Sequence, residues 1–119
     1  MSSESTFQYR FIRFSADVLL LVEKLPKTQT GRHIADQLLR SGTSVGANVQ
    51  EARSAESRAD FVHKTQVALK ELRETAYWLE MIACAHLCEQ PVLADLPSRC
   101  EELTAILAKS VITAKKNGR

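Results

Sequence analysis

QLLRSGTSVGANVQEARSAESRADFVHKTQVALKELRETAYWL, residues 37–79, reads as two long amphipathic helices joined by a short hinge. Ile34, Leu38, Ser41, Val45, Val49 and Ala52 keep an apolar-to-small stripe at steps of three and four, the spacing that holds side chains on one helical face. After the hinge, Phe61, Thr65, Ala68, Leu72, Thr75, Leu79 and Ile82 do the same. Ser57 and Asp60 have the spacing of a capping motif, with Asp in place of the usual Glu or Gln, so the second helix is predicted to open there. Beside the apolar face of the first helix lie Arg40, Ser44, Asn48 and Glu51, within one narrow arc at the edge of the core. Lys64, Glu71 and Trp78 recur every seven residues along the matching flank of the second helix. An Arg40–Glu71 or Asn48–Lys64 network would fix the register of the pair, as buried polar groups do in some coiled coils. Arg40, Ser44, Asn48, Glu51, Lys64 and Glu71 are therefore the candidate polar network, either between helices or between subunits.

Two further segments flank this pair. From Ser5 to Leu25, Phe7, Phe11, Phe14, Val18, Leu21 and Leu25 form a helical stripe, Arg13 and Asp17 can pair at i,i+4, and Pro26 stops the helix. Leu19 and Leu20 lie off that stripe; either they widen the buried face or they meet another subunit. The second helix is expected over Thr30 to Ala55 with Thr30 as N-cap, and the third over Ser57 to Leu87, with Lys70 and Glu74 paired on its outside. The fourth is expected from Leu96 to Ala114, opened by a Ser98–Glu101 capping box with Pro97 in its first turn. The tail from Lys115 to Arg119 is expected to fray. Gly42 and Gly46, one turn apart, cost helix propensity at about 1 kcal/mol each, which implies either a close-passing backbone or a kink. No run alternates with period two. Four helices with short links predict one all-α domain over residues 1–119, an antiparallel up-down-up-down four-helix bundle.

Composition narrows the function classes. A formal net charge of +2 is too small to mark one copy as a nucleic-acid binder, whereas five copies would carry about +10. No apolar run reaches the ~20 residues of a membrane span, the start MSSESTFQYRF shows no secretory pattern, and Cys84, Cys88 and Cys100 are an odd set of thiols in helical context. A cytoplasmic protein with apolar, buried thiols is expected. No metal site is expected: Asp60-x-x-His63 occurs once where di-iron bundles need pairs, and Cys84 and Cys88 at i,i+4 leave His86 pointing elsewhere. No nucleophile elbow, phosphate loop or catalytic-Cys signature is present, so no catalytic residue, cofactor or small-molecule substrate is assigned. His33, His63 and His86 are scattered over different helices. The candidate nucleic-acid contacts are Arg32, Arg53, Arg58, Lys115 and Lys116. Arg53 and Arg58 flank the hinge, Arg32 lies at the far end, and the start of the first segment is expected at a different end from the hinge, so one copy offers no continuous basic track.

Residues Arg40, Thr43–Ser44, Asn48, Glu51, Ser57, Asp60–Phe61, Lys70–Glu71 and Glu74–Thr75 together form a specific pattern. On them the chain resembles the small bacterial four helix bundle protein family, which includes the proteins encoded within intervening sequences of 23S ribosomal RNA genes, also called S23 ribosomal proteins. The likeness covers nearly the whole chain in helix order and length. Many members carry Pro at the position of Gly46 and Gly at that of Ala52, so the kink and hinge are expected to differ in detail. The resemblance implies a homopentamer, often a ring or cone with a central channel. The chain also looks like the accessory variability protein of diversity-generating retroelements, a related pentameric bundle that binds nucleic acid. The resulting expectation is a non-enzymatic homo-oligomer that contacts RNA or DNA through a basic rim or channel. The alternative is a protein-interaction scaffold with no nucleic-acid role, suggested by Leu19, Leu20 and Trp78 off the core stripes.

Overall fold

Four helices follow one another up and down: α1 Phe7–Val22, α2 Gln29–Arg53, α3 Arg58–Cys84 and α4 Pro91–Lys116. The structure, a computed structural model, describes residues 6–88 and 91–117, with the backbone alone at residues 92 and 94. The described residues contain no strand. Each helix packs on its neighbours in chain order, and α1 closes the ring against α4 least tightly.

The predicted stripes supply the core, except that Phe7 and Phe61 are only half-buried. Phe11, Phe14, Val18 and Leu21 of α1, Leu38 and Val45 of α2, and Leu72, Leu79 and Ile82 of α3 are fully buried. On α4 the stripe is Leu93, Leu96, Cys100, Leu103, Leu107 and Val111. Burying each large aliphatic or aromatic side chain contributes about 1.5–3 kcal/mol, so these ridges hold the bundle together. Leu19 and Leu20 do not widen the buried face: both stay exposed.

The helix ends differ from the sequence expectation in physically instructive ways. The start expected at Ser5 falls outside the described residues, and α1 is capped by Thr6, whose hydroxyl accepts from Tyr9 N–H at 3.1 Å. α2 is capped by Thr28 rather than Thr30, through Gly31 N–H donating to Thr28 Oγ1 at 3.1 Å. The Pro26 carbonyl folds back over Gly31 so closely that a Cβ there would collide with it, and only glycine admits that turn. Ser57 caps α3 as expected, accepting from Asp60 N–H at 3.0 Å. α3 ends at Cys84, short of Leu87, because His86 adopts a left-handed φ of 54°. Leu87 N–H then reaches Ile82 O at 3.1 Å and His86 N–H reaches Ala83 O at 3.2 Å, the paired bonds of a Schellman stop.

α4 begins at Pro91, so the expected Ser98–Glu101 box does not open it, and Pro97 lies inside the helix. Ser98 Oγ instead donates to Asp95 O at 2.9 Å. Burial of Leu93 and Leu96 outweighs the hydrogen bond that Pro97 removes. At its other end α4 runs on through Lys115 and Lys116, which are helical rather than frayed.

α2 runs unbroken through both glycines. Ser15 Oγ donates to Gly42 O at 3.0 Å, and a Cβ on Gly42 would lie 2.7 Å from Val18 Cγ1. Gly42 therefore marks a close approach of α1 to α2. Gly46 does not, since its Cβ would meet Ser15 Oγ at an ordinary 3.6 Å.

Candidate functional site

The polar stripe of α2 divides its work. Arg40 crosses to α3, where its guanidinium donates to Glu71 Oε1 at 3.2 Å and to Glu74 Oε2. Glu51 crosses one turn from the other end of α2, meeting Lys64 Nζ at 3.2 Å. Ser44 and Asn48 stay on their own helix: Ser44 Oγ donates to Arg40 O at 2.8 Å and Asn48 Nδ2 to Ser44 O at 2.9 Å, so no Asn48–Lys64 contact forms. Glu74 also accepts from Trp78 Nε1 at 3.1 Å. The hydrogen bonds from Arg40 and then Trp78 hold the Glu74 carboxyl below the usual carboxylate range. The expected Lys70–Glu74 pair does not form because Glu74 turns toward Arg40. Trp78 is half-buried, its ring edge-on to His33 at 6.0 Å between centroids, rather than standing out as free apolar surface. All these contacts lie within one copy of the chain.

A second polar seam joins α1 to α4, and the sequence stripes do not reveal it. Asp17 Oδ2 accepts from Arg99 at 2.6 Å while its Oδ1 accepts from Arg13 at 3.2 Å. Arg99 also reaches Asp95 at 3.3 Å and lies 5.9 Å from the Phe14 ring centre. Arg10 meets Glu102 at 3.2 Å. Partial burial pushes the Asp17 pKa up, but the bonds from Arg99 and Arg13 outweigh it and hold the carboxyl below its ordinary value. A signal does exist in the chain: Asp95 and Arg99 are an i,i+4 pair like Arg13 and Asp17, on the facing flank of the helix that closes the bundle. A cavity of about 180 Å³ lies over this seam, lined by Tyr9, Arg10, Arg13, Arg99, Glu102 and Leu103. Asp17 and Glu74 are both held in the ionised form, the reverse of what a general acid at neutral pH requires.

The five candidate phosphate contacts are all exposed. None of them joins an ion pair among the described residues, and neither do Lys24, Lys27, Lys70, Arg73 and Lys109, whereas Arg10, Arg13, Arg40, Lys64 and Arg99 do. Arg58 and Lys115 line one open depression of about 460 Å³ together with His63 and Gln66. Phe7 and Arg53 line a neighbouring small cavity with Ser110. The start of α1 is thus at the hinge end, contrary to the sequence expectation, as an even number of alternating helices requires. Arg53, Arg58, Lys115 and Lys116 share that end, and Arg32, at the start of α2, lies at the opposite one.

The thiols need one correction. Cys88 and Cys100 are buried, but Cys84 is exposed, and Cys88 lies beyond the end of α3, so the two do not share a helical face. Burial pushes the Cys100 thiol up to about 11, and its Sγ donates to Leu72 O at 3.3 Å. His86 belongs to the α3 stop, not to a helix. Among the described residues no group of three or more His, Cys, Asp or Glu is placed to hold a metal ion. No helix among them is long and apolar enough to cross a membrane.

Comparison with known proteins agrees with this architecture. A crystal structure of a protein of unknown function from the S23 ribosomal protein family of Bacteroides thetaiotaomicron VPI-5482 superimposes with a TM-score of 0.81 at 33% identity. The match covers 89% of this chain and 98% of that one. No curated protein matches. The model of the 23S rRNA-intervening sequence protein family matches residues 7–109, and the chain belongs to that family.

Proposed function

We propose that the protein is a non-enzymatic, cytoplasmic helical bundle that assembles with copies of itself and contacts the phosphate backbone of RNA or DNA through the end bearing Arg53, Arg58, Lys115 and Lys116. One observation carries this reading: Arg53, Arg58, Lys115 and Lys116 gather at one end of the bundle, all exposed and in no ion pair among the described residues, with Arg58 and Lys115 lining one open depression. Lys and Arg gathered at one end attract a polyanion. In an assembly with the bundle axes side by side, these ends gather on one rim, and the small charge of each copy adds up. Such binding reads charge rather than sequence.

The test is a titration of labelled RNA and of labelled single-stranded DNA into the purified protein at about 50 and 200 mM salt, with the solution mass and 260 nm absorbance of the same material. Each phosphate neutralised releases counterions, so affinity is expected to fall steeply between the two salts. Absence of binding at the lower salt removes the nucleic-acid part of the reading. A monomeric mass removes the assembly part.

A second reading, a protein-interaction scaffold, is favoured by Tyr77 and Met81, which are exposed on the outer face of α3. Recovery from native cytosol of a stoichiometric protein partner without nucleic acid would favour it.

A further inference from the structure

The apolar stripe of α3 is buried at every member from Thr65 to Ile82, and its first member, Phe61, is only half-buried. Phe61 lies one turn after Arg58, at the hinge end of the bundle. Two hollows meet at it. A small one of about 50 Å³ has Phe7, Val49 and Arg53 in its wall. An open depression of about 480 Å³ is lined by Phe61 and, from α4, by Ile106, Lys109, Ser110, Thr113 and Ala114. That volume falls in the range of small-molecule sites. Ser110 Oγ donates its proton to Ile106 O at 3.1 Å, which leaves the oxygen able to accept from a further donor.

Charge decides what such a depression fits. The chain has no Asp or Glu after Glu102, so the part of α4 that reaches the hinge end carries Lys109, Lys115 and Lys116 without an acid between them. Arg53 at the small cavity and Arg58 beside Phe61 add to them. Against these cations the hinge sets Glu56 and Asp60, and Asp60 lies 4.0 Å from Lys64. An aromatic side chain in an apolar hollow therefore stands in a field of positive sign.

We propose that Phe61 is a stacking platform for an unpaired nucleobase of a single strand. This rests on the phosphate contact proposed above and names the kind of strand that makes it. A base of a single strand brings a flat π-face for the ring and a phosphate on each side for the cations. A base inside a duplex has both faces covered by its neighbours and offers the ring nothing. A partner made of apolar side chains would fill the depression but leave Lys109, Arg53 and Arg58 without counter-charge. Every base has a π-face, so the contact adds affinity without reading sequence.

The experiment titrates three labelled ligands of equal length into the full-length protein at about 50 mM salt: a single-stranded oligonucleotide, a strand of the same sugar-phosphate backbone with every base removed, and a duplex. The parent is expected to bind the base-bearing strand about fivefold or more tighter than the abasic one, the gain from one stacked base. Phe61→Leu keeps an apolar side chain and removes the ring; circular dichroism and a thermal melt verify its folding. It is expected to lose the gain for bases while its affinity for the abasic strand and the duplex stays that of the parent. Phe61→Trp is expected to retain the gain. Equal affinity of the parent for base-bearing and abasic strands overturns the stacking and leaves the phosphate contact standing, and this comparison needs no variant. A Phe61→Leu protein that keeps the full gain overturns it too, as does one whose solution mass falls, because a second copy then covers the ring. Absence of binding to all three ligands overturns both readings.

Discussion

Thr75 Oγ1 lies 2.9 Å from Ser41 Oγ at the centre of the α2–α3 seam, where both side chains are sealed from water. The single hydroxyl proton of Thr75 is shared between Ser41 Oγ and Glu71 O, the latter at 2.8 Å. Ser41 otherwise has only Leu38 O, at a long 3.4 Å. The pair therefore satisfies two buried hydroxyls with one contact, and its loss leaves a polar group without water or a good partner. Thr75→Val is expected to cost about 1–2 kcal/mol. Thr75→Val combined with Ser41→Ala is expected to cost less than the two singles added together, by about 0.5–1.5 kcal/mol. Urea denaturation of the four proteins at one fixed concentration closes this cycle, and strict additivity would show that the hydroxyls do not depend on each other.

Gly42 and Gly46 look alike in the sequence and are expected to respond oppositely to alanine. Either substitution gains helix propensity, about 1 kcal/mol. At Gly42 the new methyl lands 2.7 Å from Val18 Cγ1, a branched side chain inside the core with little freedom to turn away. Overpacking of that kind costs about 1–3 kcal/mol, so Gly42→Ala is expected to destabilise. At Gly46 the nearest atom is Ser15 Oγ at 3.6 Å, so Gly46→Ala is expected to stabilise by roughly the propensity gain. Denaturation midpoints moving in the same direction would contradict this account.

The contrast shows where sequence reading reaches and where it stops. The core ridges are legible because a period near 3.6 is a local property of each helix. Arg40 and Glu71 are legible as partners because opposite charges sit on facing flanks of consecutive helices, whereas the i,i+4 rule assigns Glu74 to Lys70 and the neighbouring helix wins. The Asp17–Arg99 contact spans 82 residues, and the local i,i+4 pairs Arg13/Asp17 and Asp95/Arg99 mark the two flanks without saying that they meet. The choice of Thr28 over Thr30 as the α2 cap is hidden for the same reason: both threonines can cap, and the return of the Pro26 carbonyl over Gly31 decides between them. Pro97 misleads because its penalty is local and visible, while the burial of Leu93 that offsets it is tertiary.

The Asp17 knot sets an acid limit. Its folded-state pKa is depressed, so Asp17 contributes stability that is present above its unfolded value near 4 and is lost as pH falls through the lower folded value. Glu74 follows the same sign. Asp17→Asn is therefore expected to lower stability at pH 7, where Arg13 and Arg99 lose their carboxylate, and to flatten the decline between about pH 4 and pH 2. Thermal melts of parent and variant at pH 7, 4 and 2.5 measure this. An acid-side decline of equal steepness in both proteins would show that other carboxyls govern it.

The hinge-end cations are tested separately from the folded core. Arg58 and Lys115 line the same open depression and join no ion pair among the described residues, so replacing both with Ala is expected to leave the melting temperature nearly unchanged. If both face phosphates, weakening should be similar for RNA and DNA of unrelated sequence, because phosphate contacts carry no base information. The slope of log affinity against log salt should become shallower by about 1 for each phosphate that is no longer neutralised. Arg32→Ala, at the far end of the bundle, separates two placements of the nucleic acid. A strand confined to the hinge-end rim leaves that variant binding like the parent, whereas a strand running the full length of the assembly makes Arg32→Ala flatten the salt slope by a comparable amount.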